Sequence, residues 1–305
     1  NEFFEPEKVD AFEIGSKYSF ANGRLSLNLT GFYYKYKGLQ LSRIISRTSV
    51  NDNIDANIWG LEAEAIVSPM RDFIVNMSAS YLNTEVSASK LLINPRDVSA
   101  GRDDTVIIKD ITLGSNCAVT SNAGSAAAAN GFVGAINGSI GLAAPTPIPS
   151  TNTTGAFSIC QVLFDQAAAI GSAFGGITVS SGVGVDIKGS QLPQAPKYKF
   201  SVGAQYTFHL GEMSLVPRAD LAYTGESYGS IFNDDINRIK GYEIVNAQIQ
   251  LNGAEDRWFV RGFVQNLFDS NPITGLYVTD QSSGLFTNVF TLDPRRYGIA
   301  AGFKF

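Results

Sequence analysis

The sequence predicts an all-β chain whose strands cross a membrane as a transmembrane antiparallel β-barrel. Three observations carry this prediction. Nine segments alternate apolar and polar residues with a period of two. The connections between them alternate short and long without exception. Aromatics reach 11% while charged residues are only 17%, yet no apolar run attains the roughly 18 residues of a membrane helix.

The elements follow in order. In 9–20, Phe12, Ile14, Tyr18 and Phe20 share a face opposite Glu13 and Lys17. In 25–36, Leu25, Leu27 and Leu29 oppose Ser26, Asn28 and Thr30. In 59–67, Trp59, Leu61, Ala63, Ala65 and Val67 oppose Glu62 and Glu64, and in 73–83 Phe73, Val75, Met77, Ala79 and Tyr81 oppose Asn76, Ser78 and Ser80. The segment 198–208 alternates from Tyr198 to Phe208. In 213–223, Arg218 and Asp220 lie opposite Leu215, Ala219 and Leu221. In 242–252, Asn246, Gln248 and Gln250 oppose Val245, Ala247, Ile249 and Leu251. The segment 258–268 is noisier, because Arg261 and Gln265 share a face with Phe259, Phe263 and Leu267. The ninth is the closing stretch, where Tyr297, Ile299, Ala301, Phe303 and Phe305 alternate with small or charged residues.

Residues 21–24, 68–72, 209–212 and 253–256 are tight-turn lengths; 37–58, 84–197, 224–241 and 269–294 are long. In an antiparallel meander this places every short turn on one side and every long loop on the other. An outer-membrane barrel has that asymmetry, with short periplasmic turns and long extracellular loops, and a soluble β-sandwich has no reason for it. Lipid also demands that each backbone polar group be paired, which a barrel satisfies. Aromatics near the strand ends match an interfacial girdle. Nine is an odd number, whereas single-chain bacterial barrels have even numbers of strands. The expectation is the C-terminal part of a larger barrel, with 1–305 in one barrel domain and 84–197 as an inserted extracellular loop. A net charge of −5 argues against a nucleic-acid partner.

The stretches FEPEKVDAFEIGSKYSFANGRLSLNLTGFYYKYKGLQ, NIWGLEAEAIVSP, QNLFDSNPITG and YGIAAGFKF together resemble the C-terminal barrel region of TonB-dependent outer-membrane receptors. The resemblance covers residues 3–83 and 194–305. It implies a 22-stranded barrel in a Gram-negative outer membrane, closed by N-terminal strands and filled by a plug that engages a TonB-type energy transducer. The function implied is energy-coupled uptake of a scarce solute such as a ferric siderophore, cobalamin or oligosaccharide. The alternative is a passive porin or adhesin-like barrel without a plug.

The 84–197 connection has a Gly/Ala/Ser/Thr-rich core, with helical spacing over 161–174 through Leu163, Ala167, Ile170 and Phe174. Cys117 and Cys160 are the chain's two cysteines. In an extracellular loop they are expected to form a disulfide, and the loop to act as a lid or ligand-contacting cap. Tyr34, Tyr36 and Trp59 are candidate ligand contacts, with girdle as the plainer role. Glu62, Glu64, Arg218, Asp220, Gln248 and Arg261 are expected to face the lumen or plug. Asp52, Asn53 and Asp55 offer oxygens that Ca²⁺ uses, but without a terminal bidentate Glu. One histidine, His209, and no spaced Ser/His/Asp set leave no nucleophile to activate, so no enzymatic activity, metal or cofactor is expected.

The closing residues Tyr297, Ile299, Ala301, Phe303 and Phe305 resemble the signal by which outer-membrane assembly machinery recognises its clients. Deleting Phe305 from the full-length protein is expected to impair membrane insertion more than ligand affinity. Measurement of the inserted fraction checks this, and normal insertion would overturn that role of the terminus.

Overall fold

The computed structural model describes residues 5–45 and 48–304; Phe305 lies outside them. Nine strands form one antiparallel sheet in chain order: β1 (Lys8–Phe20), β2 (Leu25–Ile45), β3 (Thr48–Met70), β4 (Phe73–Val86), β5 (Tyr198–Tyr206), β6 (Met213–Thr224), β7 (Tyr242–Asn252), β8 (Trp258–Gln265) and β9 (Arg296–Phe303). The short segment Phe208–Leu210 prolongs β5 past Thr207 and pairs with β6. The sheet does not close among the described residues, so β1 and β9 are its edges. No helix among the described residues is long and apolar enough to cross a membrane.

Register fixes two faces. Ile14, Leu61, Tyr81 and Tyr198 fall on one side, and Thr30, Glu62, Ser80 and Lys199 pair across the other. A period of two means a one-residue slip would exchange the faces. On β8 the polar side carries Phe259, Arg261 and Phe263, which explains its noisy pattern. Phe263 lies over Gly298 and Phe259 over Gly302 of β9, filling space that these glycines leave. The face of β9 with Tyr297, Ile299, Ala301 and Phe303 stands open, with Tyr297 and Ile299 each 81% exposed.

Of the expected loop 37–58, residues 37–45 and 48–58 are instead strand. β2 and β3 run to 21 and 23 residues, so at ~3.3 Å per residue the hairpin is about 70 Å long. Roughly ten residues suffice to span a bilayer, so much of it projects past the loop ends of the other strands. The period was concealed by a bulge between Tyr36 and Leu39. Gly38 sits there at φ +69°, its N–H donating to Asp55 Oδ1 (3.0 Å) and its carbonyl accepting from Asn53 Nδ2 (2.7 Å). Residues that read as loop chemistry are thus the clamp of a bulge.

Residues 84–197 fold as a cap. A mixed five-stranded sheet runs Ile177–Ser180, Cys117–Ser121, Thr105–Asp110, Thr154–Ser158, Thr146–Pro147. Two helices, α1 (Ala126–Ser139) and α2 (Cys160–Ile170), pack on it, and a 3-10 turn, Gly171–Phe174, continues α2. The helix expected over 161–174 is there; α1, inside the low-complexity stretch, was not expected. Ala129, Phe132, Val133 and Ile136 form its buried stripe, and Ser125 caps its start by accepting from the Ala128 N–H. The cap core joins Val106, Ile108, Val119, Phe132 and Leu163, all essentially inaccessible. Cys117 and Cys160 form the expected disulfide, with Cα atoms 6.0 Å apart, tying the central sheet to the first residue of α2.

A second apolar cluster joins cap and sheet. Ile54 of β3 and Val86 of β4 meet Leu92 and Ile187 of the cap and Ile231 and Phe232 of the β6–β7 connection. By alternation, Ile54 and Val86 lie on the side that carries Glu62 and Ser80. The same side of the sheet is therefore polar along its length and apolar where the cap rests on it.

The disulfide closes a span of 43 residues, for which chain-entropy reasoning gives about 4 kcal/mol. Replacing both cysteines by alanine is expected to lower cap stability by up to that amount. It should also open 84–197 to limited proteolysis while leaving the wall strands protected; denaturant unfolding and cleavage mapping check both.

Candidate functional site

The candidate site is the polar side of the sheet together with the cap base above it. Arg218 on β6 organises the lower tier. Its Nε donates to Asp220 Oδ2 (2.9 Å), its Nη1 to Gln205 Oε1 (3.1 Å) and its Nη2 to Asn76 Oδ1 (2.9 Å) and to Asp220 Oδ1. One guanidinium so spans β4, β5 and β6. Gly203 makes this possible: a Cβ there would overlap both Arg218 Nη2 and Asp220 Oδ1. Gln248 stands beside Arg218 in register on β7. Arg261 lies farther along, its guanidinium 5.9 Å from the Phe259 ring centre.

On the other half of the sheet, Glu64 accepts from Asn28 Nδ2 (3.4 Å) and lies in register with Ser78, whose hydroxyl meets that of Ser201 at 2.8 Å. Glu62 lies between Thr30 and Ser80. Tyr34 donates to Glu13 and stacks with Phe32, ring centres 5.0 Å apart. Tyr36 follows on the same side, paired with Ala56. Trp59 does not join them. Odd-numbered on β3, it faces the apolar side, 5.2 Å from the Tyr81 ring, which lies 5.3 Å from Tyr198. This row of rings has the composition of an interfacial belt. A concavity of about 850 Å³ between Ile14, Leu61, Tyr81 and Phe200 also lies there, with Glu62 and Lys199 among its lining. Its walls are mainly apolar, whereas a binding site is marked by convergent polar groups.

Asp52, Asn53 and Asp55 are held by protein groups. Asp52 accepts from Arg43 at 2.6 Å with Lys90 3.9 Å away, and Asn53 and Asp55 clamp the bulge. Among the described residues no cluster of three or more His, Cys, Asp or Glu has a metal-binding arrangement.

The upper tier consists of loops that lock together through side chains the sequence pattern did not mark. Asn94 Nδ2 donates to Asp234 Oδ2 (3.0 Å). Gln281, at the tip of the β8–β9 connection, accepts from Lys109 Nζ (2.7 Å) and the Asn116 N–H (2.8 Å) and donates to the Pro95 carbonyl (3.2 Å). Polar residues in separate long loops carry no period, so no local signal pairs them. A cavity of about 510 Å³ lies between the β2–β3 hairpin and the cap, lined by Arg43, Asp52, Lys90, Leu92, Asp280 and Gln281.

Within the cap, Asp110 does the capping that Ile159 cannot. Its Oδ2 accepts from the Cys160 N–H (3.0 Å) at the start of α2, and its Oδ1 from the Thr112 N–H (2.7 Å) and hydroxyl (2.5 Å). Burial favours the neutral acid, but the bonds from the Thr112 hydroxyl and the Cys160 and Thr112 amides outweigh it and hold Asp110 below the ordinary carboxylate range.

The family model "TonB dependent receptor-like, beta-barrel" matches residues 1–267. Three solved structures share the fold. The ferric yersiniabactin uptake receptor FyuA from Yersinia pestis aligns at TM-score 0.56 and 16% identity, over 98% of this chain and 30% of that one. The siderophore receptor PiuA from Acinetobacter baumannii aligns at 0.53 and 14%, over 99% and 29%. The copper transporter OprC aligns at 0.54 and 12%, over 100% and 32%. The chain thus spans about three tenths of the length of these proteins. No curated protein matches the sequence.

Asp110→Asn sets its NH2 against either the Cys160 or the Thr112 N–H, since both carboxylate oxygens now accept, and is expected to cost the cap about 1–2 kcal/mol at neutral pH. Because the folded-state pKa is depressed, the Asp110 contribution is present above the ordinary carboxylate value and lost as pH falls through the folded value. The variant should therefore show a flatter acid limb in cap stability. Hydrogen exchange at the first α2 amides as a function of pH checks this.

Proposed function

Because the chain belongs to the TonB-dependent receptor β-barrel family, we propose that it is the C-terminal part of the wall of an outer-membrane receptor, carrying an extracellular cap. The intact receptor takes up a scarce solute with energy delivered through a plug from a TonB-type transducer. The observation that carries this reading is the single side of the sheet that is polar between Glu62 and Arg218 and buried beneath the cap at Ile54 and Val86. A polar wall suits a hydrated plug, and an apolar seat at the mouth suits a lid. In this reading the remaining N-terminal strands close the barrel at β1 and β9. Glu62, Glu64, Arg218, Asp220, Gln248 and Arg261 face the lumen or plug, and Tyr34 and Tyr36 meet the solute. The apolar face, Trp59 included, meets lipid.

A ferric siderophore, cobalamin or an oligosaccharide remains within this reading. The first is the class carried by FyuA, whose fold the chain shares. A passive porin or adhesin-like barrel is not favoured, since the family is one of receptors and the loops here interlock over the wall.

The test uses the complete receptor gene in its host. Radiolabelled iron supplied as a panel of ferric siderophores is expected to be taken up, with loss of at least tenfold when the TonB-type transducer is deleted. Uptake that persists at the full rate without the transducer would overturn energy coupling and return the passive barrel to first place.

A further inference from the structure

A second cavity, of about 320 Å³, lies beside the first at the base of the cap, within the range of small-ligand sites. Arg96 of the cap base, Arg43 of the β2–β3 hairpin, Phe232 and Asn237 of the β6–β7 connection and Tyr277 of the β8–β9 connection line it. Its charge is one-sided: two guanidinium groups line it, and no Asp or Glu does among the described residues. Arg43 is neutralised from behind, its Nε and Nη2 both bonded to Asp52 at 2.6 Å. Arg96 is not. No carboxylate lies within ion-pair distance of it among the described residues. Its side chain donates to the Thr287 hydroxyl, and its Nε is buried with no protein partner. Asp234, whose charge attracts Arg96, already accepts from Asn94 (3.0 Å) and Asn237 (3.4 Å), and burial holds the Arg96 pKa below its ordinary value despite it.

Asn237, which also lines the cavity, carries an unmatched acceptor. Asn237 is 1% exposed; its Nδ2 donates to the Phe232 carbonyl at 3.2 Å, while its Oδ1 has no protein partner. Turning the amide over would set oxygen against that carbonyl, so the orientation is fixed by the Phe232 bond. A half-buried guanidinium with a buried Nε and no carboxylate within ion-pair distance among the described residues, and a buried carbonyl oxygen without a donor, each cost stability. One ligand class relieves both: an anion for Arg96 with a hydroxyl for Asn237.

We propose that this cavity is a binding site for a hydroxycarboxylate group, its carboxylate on the Arg96 guanidinium and its hydroxyl donating to Asn237 Oδ1. The site takes a compact hydroxy acid whole, or one arm of a larger chelator. The inference deepens the uptake reading and rests on it for the fate of the ligand, but not for its binding.

The test is calorimetric titration of the intact, detergent-solubilised receptor with L-malate in metal-free buffer. Succinate serves as the same chain without the hydroxyl, and glucose as hydroxyls without charge. L-malate is expected to bind saturably, succinate at least fivefold more weakly, and glucose not at all. Arg96→Gln should weaken L-malate at least tenfold with an unchanged melting temperature. Arg96→Lys, which keeps the charge but not the fork, should fall between, and it decides the matter if the glutamine variant does not fold. Absence of L-malate binding, equal binding by Arg96→Gln and the parent, or succinate equal to L-malate would each overturn the assignment. Binding is read without an energised membrane, so failure here leaves transducer-dependent uptake standing, and failure of uptake leaves this site standing.

Discussion

The contact among Ile54, Val86, Leu92, Ile187, Ile231 and Phe232 is the one on which the rest of the molecule depends. Without it the sheet and the cap would be joined only by the two chain crossings and by polar bonds such as Asn94–Asp234 and those of Gln281. Burying large aliphatic and aromatic side chains is worth about 1.5–3 kcal/mol each, so six of them form a seam that sets where the cap stands. Two constraints follow. The β2–β3 hairpin must reach at least as far as Ile54 to meet the cap, and its 21- and 23-residue strands run beyond that point. The β6–β7 connection must fold inward to deliver Ile231 and Phe232, which its short Ser227–Tyr228/Arg238–Ile239 ladder arranges.

Below the seam the same side of the sheet obeys a different solvent. Arg218, Asp220, Asn76 and Gln205 saturate one another across three strands. That arrangement suits a wall that must present charge without leaving it unpaired, and it depends on Gly203 as a cut-out in β5. On the opposite side, Ile14, Leu61, Tyr297 and Ile299 stand open, as an apolar surrounding requires. One backbone ladder separates the two environments, and the period of two in its sequence is the whole device.

That period is why the wall was legible in the sequence. Alternation in 73–83 or 242–252 reports both the strand and the side on which each residue falls, and turn lengths at 21–24 and 209–212 report the connectivity. Helix α2 was legible through Leu163, Ala167 and Phe174, and the disulfide through the compartment its loop would occupy. Legibility failed where a residue answers to a distant partner. The bulge at Gly38 interrupted the period, so Asn53 and Asp55 read as loop when they are clamps within a strand. Helix α1 was hidden by its alanines and glycines, although Phe132, Val133 and Ile136 carry a helical spacing. The bonds of Gln281 to Lys109, Asn116 and Pro95, and of Asn94 to Asp234, cross long loops and leave no trace in local pattern. The same holds for Trp59, whose place beside Tyr81 is a matter of parity rather than of chemistry.

The chain enters and leaves the cap at one point. Val86 bonds directly to the returning segment, its N–H to the Ser190 carbonyl and its carbonyl accepting from the Gly189 N–H, both at 2.9 Å. A unit with its own core, its own disulfide and adjoining ends behaves as a cassette. Sequence change on its outward surface, as at exposed Phe157, leaves the wall's alternation untouched. Such a cassette lets the surface of the cap diverge in sequence while the alternation of the wall strands stays constant.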